Sequence, residues 1–143
     1  KSMPEHKESE RFINLGVVLN KKGEVLMIRR TVEEAGKNGS ILKWAFPGGR
    51  QRVNETREEC LKREILAETG YAVTPAHKIS LRVHPQFPTV IVYFLCHLAS
   101  EKPTAEPAEP HEVAEIRWIK REEISNLITT DLDQGVKKQL GLR

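Results

Sequence analysis

Cysteine is nearly absent: Cys60 and Cys96 are the only two in 143 residues. They sit in segments of helical and strand character with no metal-binding spacing between them, so a reduced, cytoplasmic protein is the expectation. Long hydrophobic runs are missing too. Nothing approaches the roughly 18 to 20 apolar residues of a membrane span, and the opening KSMPEHKESER is charged and polar rather than a secretory leader. Charge of one sign is not in excess either. Lys and Arg number 23 against 20 Asp and Glu, which suits an anionic small molecule but gives no argument for a nucleic-acid groove. His77, His84, His97 and His111 lack zinc spacing, and there are no internal repeats. What remains is a chain of one domain's length, 38% hydrophobic and 30% charged, long enough for a proper core. Residues 1–10 are expected to form a flexible segment ahead of it.

Strand signals dominate. RFINLGVVLN (11–20) and EVLMIRRT (24–31) are β-branched and apolar, and the link through Gly23 reads as a hairpin turn. VEEAGKNGSIL (32–42) reads as a loop, and KWAFP (43–47) as a short strand ending at proline. Further strands are expected within 72–85, interrupted by Pro75, and within 87–99 and 113–120. EKPTAEPAEPHE (101–112) is an exposed acidic loop, and short helices are expected over 120–128 and 131–140, with Gly135 weakening the second.

One helix carries the interest. Asn54 or Thr56 caps it, Thr56 and Glu59 form a capping box, and Gly70 stops it. On this helix Glu64 and Glu68 fall roughly 40° apart, within a sector that also holds Cys60, Leu61 and Ala67. Carboxylates on a packing face need a partner, because an unpaired buried charge is too costly. An arginine would serve, and so would a metal ion. The preceding Gly48-Gly49 turn lets main-chain oxygens approach a cation, and Mg²⁺ takes a few protein oxygens with the rest from water and substrate phosphate.

Gly49, five residues, Glu55, seven residues, then Arg63-Glu64-Ile65 and Glu68-Thr69-Gly70-Tyr71 together resemble the Nudix box of the Nudix hydrolase family. KWAFPGG, VLMIRR and EIRWIKREEI around the box are similar to the family as well. The resemblance implies an α/β fold, an α/β/α sandwich around a mixed sheet. It also implies Mg²⁺- or Mn²⁺-dependent hydrolysis of a nucleoside triphosphate or a nucleoside diphosphate derivative. By the same resemblance Glu64 and Glu68 are metal ligands, assisted by the Gly49 or Gly48 carbonyl. Gly48, Glu55, Arg63 and Gly70 are then structural, with Glu55 and Arg63 forming an ion pair. The family's usual further glutamate is replaced by Ala67, which fits an enzyme of reduced activity or a module that binds nucleotide without cleaving it.

Several groups around the box are candidates for the same chemistry. Glu64 is the favoured general base, with Glu112 and Glu115 as rivals. Arg30 ends the alternation Leu26, Ile28, Arg30 and is expected either to face substrate or to pair with a surface acid, while Arg50 could bind phosphate through a charge-assisted bond. Trp44 and Phe46 are candidates for stacking on a base, with packing the alternative for Trp44 as for Trp118.

Overall fold

The computed structural model describes residues 11–35, 41–83, 88–108, 111–128 and 132–142. The expectation for residues 1–10 lies outside these. Two central strands organise the molecule, β1 (Phe12–Leu19) and β6 (Val90–Leu98). They run parallel in register from Phe12↔Val90 to Leu19↔His97. Because side chains alternate across a strand, each of these apolar strands feeds two cores. Val17, Ile91 and Tyr93 enter one, and Val18, Val92, Phe94 and Cys96 enter the other.

β2 (Val25–Ala35), β3 (Ile41–Ala45), β4 (Gly48–Arg50), β5 (Val73–Val83) and β7 (Val113–Ile119) complete the sheet. Its order is β3-β2-β1-β6-β5, with β4 beside β1 and β7 beside β2. Among the described residues only the β1–β6 pairing is parallel, so the sheet is mixed. On one face lies α1 (Arg57–Thr69), whose Leu61 and Ile65 pack on Val18, Leu26 and Phe94. Each of the two contributes roughly 1.5–3 kcal/mol by leaving water. On the other lie α2 (Ile124–Leu127), entered through a 3₁₀ turn at Arg121–Glu123, and α3 (Gln134–Gln139). Ile124, Ile128, Val136 and Leu140 close that core. The layers are α/β/α, as expected. No helix among the described residues is long and apolar enough to cross a membrane.

Four local expectations change. Of the stretch 32–42, residues 32–35 and 41–42 are strand, because β2 continues to Ala35 and β3 begins at Ile41, and 36–40 lie outside the described residues. Asn54 does not cap α1: it takes φ 65° in the turn before it, and Thr56 is the cap. Pro75 does not interrupt β5, since β5 is the edge strand and the register shifts between Pro75 and His77, where a missing N–H is tolerated. Gly135 is required by packing, because a Cβ there would stand 2.7 Å from Ser80 Cβ.

Candidate active site

β4 is a three-residue strand whose glycines place main chain against both β1 and α1. Gly16 N donates to Pro47 O at 2.8 Å and Gln51 N to Phe12 O at 2.9 Å, with Asn14 opposite Gly49 and Leu15 opposite Gly48. In an antiparallel ladder the bonded positions alternate. Residues 47, 49 and 51 therefore face β1, and Gly48 keeps its main-chain groups clear of it. Gly48 N donates instead to Glu68 Oε1 at 2.9 Å. Its φ of 148° suits glycine alone, and a Cβ there would lie 2.0 Å from Asn14 O.

The helix delivers the acids because its ends are well defined. Thr56 Oγ1 accepts from Glu59 N, Glu59 reaches back to Thr56 N, and Gly70 closes the helix in the left-handed region at φ 80°. Glu68 is buried, 4% exposed. Its Oε2 faces Arg30 Nη1 at 3.8 Å, so the charge has a cation beside it. Glu64 sits one turn earlier, over Gly49, where a Cβ would fall 2.6 Å from the Glu64 carboxyl carbon. Two carboxylates thus meet the glycine strand, Glu64 in the space a side chain at position 49 would fill and Glu68 through the Gly48 N–H.

Arg63 holds this arrangement in place. Its Nε and Nη2 donate to Glu55 at 2.6 and 3.0 Å, Nη1 donates to Glu64 Oε2 at 2.7 Å, and Nη2 also donates to Arg50 O at 3.2 Å. The Arg63 guanidinium holds the Glu55 carboxyl below its ordinary 4.5, and Glu55 in turn raises Arg63. A depressed carboxylate adds stability above its unfolded pKa and loses it as pH falls through the folded value. Urea midpoints should therefore fall as pH drops below about 4.5, and Glu55→Gln should shrink that fall. An unchanged slope in the variant would show that the pair does not link folding to pH.

The remaining predicted residues divide. Arg30 meets Glu68, and its Nε is buried without an acceptor. Arg29 Nε donates to Glu115 at 3.2 Å, Arg117 also bonds Glu115, and the Arg117 guanidinium lies 5.1 Å from the Trp44 ring centroid. Arg117 first, then Arg29, holds the Glu115 carboxyl below its ordinary range. Glu115 is thus engaged with arginines on the side of the sheet where Val25 and Met27 point. Glu112 is exposed in the turn before β7, 3.5 Å from His111 Nε2. Its carbonyl accepts from Thr31 N, one residue past Arg30. Arg50 is exposed at the end of β4.

Phe46 requires a correction. It is 3% exposed, edge-on to Tyr93 at 6.2 Å, and belongs to the core rather than to a stacking surface. Trp44 is half-buried beneath Arg117, and Trp118 donates to Tyr71 Oη at 3.0 Å, both packing roles. Of the two glycines expected to assist with a carbonyl, Gly48 donates its N–H to Glu68 Oε1, and the Gly49 carbonyl accepts from the Cys60 thiol at 3.4 Å. Asn14, Gln51 and Cys60 were not legible as site residues. The one available signal was a polar Asn14 inside the apolar strand FINLGVVL.

The acidic loop also reaches the site. Thr104 N and Ala105 N donate to Gly70 O at 2.8 and 3.2 Å, and Ala108 N donates to Ala67 O at 2.7 Å. These bonds satisfy carbonyls at the end of α1 and strap the loop beside position 67. Among the described residues no group of three or more His, Cys, Asp and Glu side chains gathers to hold a metal. The donor set is therefore two carboxylates and main-chain oxygen, which suits one hard cation that keeps waters or takes phosphate oxygens.

The family profile described as the NUDIX domain matches residues 13–139. The chain is similar to "Phosphatase NudJ" of Escherichia coli strain K12, 31% identical over 115 residues that cover 78% of this chain and 70% of that protein. It is also similar to a Bacillus subtilis protein named "Putative 8-oxo-dGTP diphosphatase", 29% identical over 103 residues, and spans 62% of that protein's length. A NUDIX hydrolase structure from Nitrosomonas europaea superposes with a TM-score of 0.72 at 22% identity, covering 93% of this chain and 71% of that one. At that identity the likeness is one of fold.

Proposed function

This chain belongs to the NUDIX family, and on that premise we propose that it hydrolyses a phosphoanhydride bond in a nucleoside triphosphate or nucleoside diphosphate derivative, in the cytoplasm. The observation that carries this reading is the buried Glu68, bonded to Gly48 N and facing Arg30, one turn from Glu64 over the glycine strand. The likeness to the Bacillus subtilis protein named "Putative 8-oxo-dGTP diphosphatase" supports a nucleotide substrate.

Glu64, Glu68 and the Gly48 carbonyl would hold Mg²⁺ or Mn²⁺. When bound, such an ion neutralises charge on the phosphate oxygens and lowers the pKa of water. The chain's own residues do the rest. Arg30 and Arg50 draw the diphosphate by charge-assisted hydrogen bonds. Arg63 fixes Glu64 through Oε2; Oε1 is the oxygen left, and it takes the proton of the attacking water only where Glu68 and the Gly48 carbonyl would hold the cation without it. Glu112, an exposed acid tied beside Arg30 through Thr31, is the rival base. Glu115 is not, since Arg29 and Arg117 hold its charge.

Ala67 supports a second reading, a module that holds nucleotide without cleaving it. The two separate in one assay of phosphate and pyrophosphate release over a nucleotide panel with Mg²⁺, repeated for Ala67→Glu. Hydrolysis predicts turnover in the native chain and a rise of at least about tenfold in the variant, as local negative charge recruits further metal. Tight binding with no turnover in either form would establish the sensing module.

A further inference from the structure

A small polar cluster lies beneath the glycine strand, unused by the chemistry above. Asn14 is fully buried in β1 and stands opposite Gly49. Its Nδ2 donates to Gln51 Oε1 at 3.1 Å, and Gln51 Nε2 donates to Glu55 O at 2.8 Å. That relay fixes the orientation of the Asn14 amide and leaves Oδ1 buried with no hydrogen-bond partner among the described residues. Cys60, also fully buried, donates its thiol to Gly49 O at 3.4 Å and contacts the Asn14 side chain. Buried polar groups with incomplete pairing are costly and rare. An amide and a thiol at this spot, next to the apolar layer of Leu61, Ile65 and Val18, therefore call for a reason.

We infer that Cys60 and Asn14 are positioning residues: they hold Gly49 against α1 and β1 so that its neighbour Gly48 presents its main chain to Glu64 and Glu68. The reason is the alternation of a strand, in which successive carbonyls point to opposite sides. Fixing the Gly49 carbonyl on the Cys60 side sets the direction of Gly48, and a one-residue rotation would exchange the two. This role rests on the proposed cation site, but its test has a separate readout.

The Gly48 amide resonance reports main-chain position in the metal-free protein, and Mn²⁺ alone, titrated by electron paramagnetic resonance, reports the site. Cys60→Ala should shift the Gly48 resonance, weaken Mn²⁺ about threefold, and lower kcat by a similar factor with KM unchanged. Cys60→Ser, which keeps a donor, should recover all three. Should Cys60→Ala fail to fold, Asn14→Ser is compared with the native chain in the same way and should also shift Gly48. A Gly48 resonance and Mn²⁺ affinity unmoved in the substituted chain, or Cys60→Ser as displaced as Cys60→Ala, would overturn the role. If the native chain takes up no Mn²⁺, the cation reading fails on its own and the Gly48 resonance alone decides the positioning.

Discussion

Glu68→Gln will fold normally and turn nucleotide over at least about 100-fold more slowly. The amide keeps an oxygen to accept from Gly48 N, a bond of 2.9 Å in the native chain, and fills the same volume. What disappears is the negative charge, which stands 3.8 Å from Arg30 and in a side chain only 5% exposed. A buried charge is retained only where something opposite needs it, and here one cation is an arginine and the other is the proposed metal. Circular dichroism should overlay the native trace while phosphate release collapses and Mn²⁺ affinity falls. Turnover within a few fold of native would remove Glu68 from the site.

Gly48→Ala will be the most damaging substitution in the strand, costing about 3 kcal/mol or more by urea denaturation. The new Cβ would meet Asn14 O at 2.0 Å and Leu15 Cα at 2.8 Å, both main-chain atoms of β1, at a φ of 148°. β1 cannot retreat, because its other edge is paired with β6 along its whole length. Gly49→Ala is the internal comparison. Its Cβ meets the Glu64 side chain at 2.6 Å, which can swing away. That variant should lose turnover through a displaced carboxylate while losing less stability, about 1 kcal/mol. Equal urea midpoints for the two alanines would mean that Gly48 is not wedged against β1.

The parts of this site that the sequence made legible are those built by local rules. The Thr56–Glu59 capping box and the left-handed Gly70 follow from spacing along one helix, and the Arg63–Glu55 pair from the family resemblance; the structure holds all three. Features that depend on which strand lies beside which were harder to read. Of the loop expected at 32–42, residues 32–35 and 41–42 are strand because β3 pairs with the end of β2, Glu34 with Leu42 and Ala35 with Ile41, a fact absent from its mixed composition. Pro75 reads as a break until β5 is known to be an edge. The choice between Gly48 and Gly49 turns on ladder phase against β1, and Phe46 is lost to the core through Tyr93, a residue 47 positions away in sequence. Glu115 needed its cross-strand partner Arg29 to be seen as engaged.

Position 67 is gripped by its carbonyl, through Ala108 N, a contact indifferent to the side chain. The helix therefore accepts a carboxylate there as readily as a methyl group. A lineage could gain or shed one at this point in a single codon change without disturbing foldability. If Ala67→Glu raises turnover as proposed, catalytic strength is set at a position the fold itself does not need.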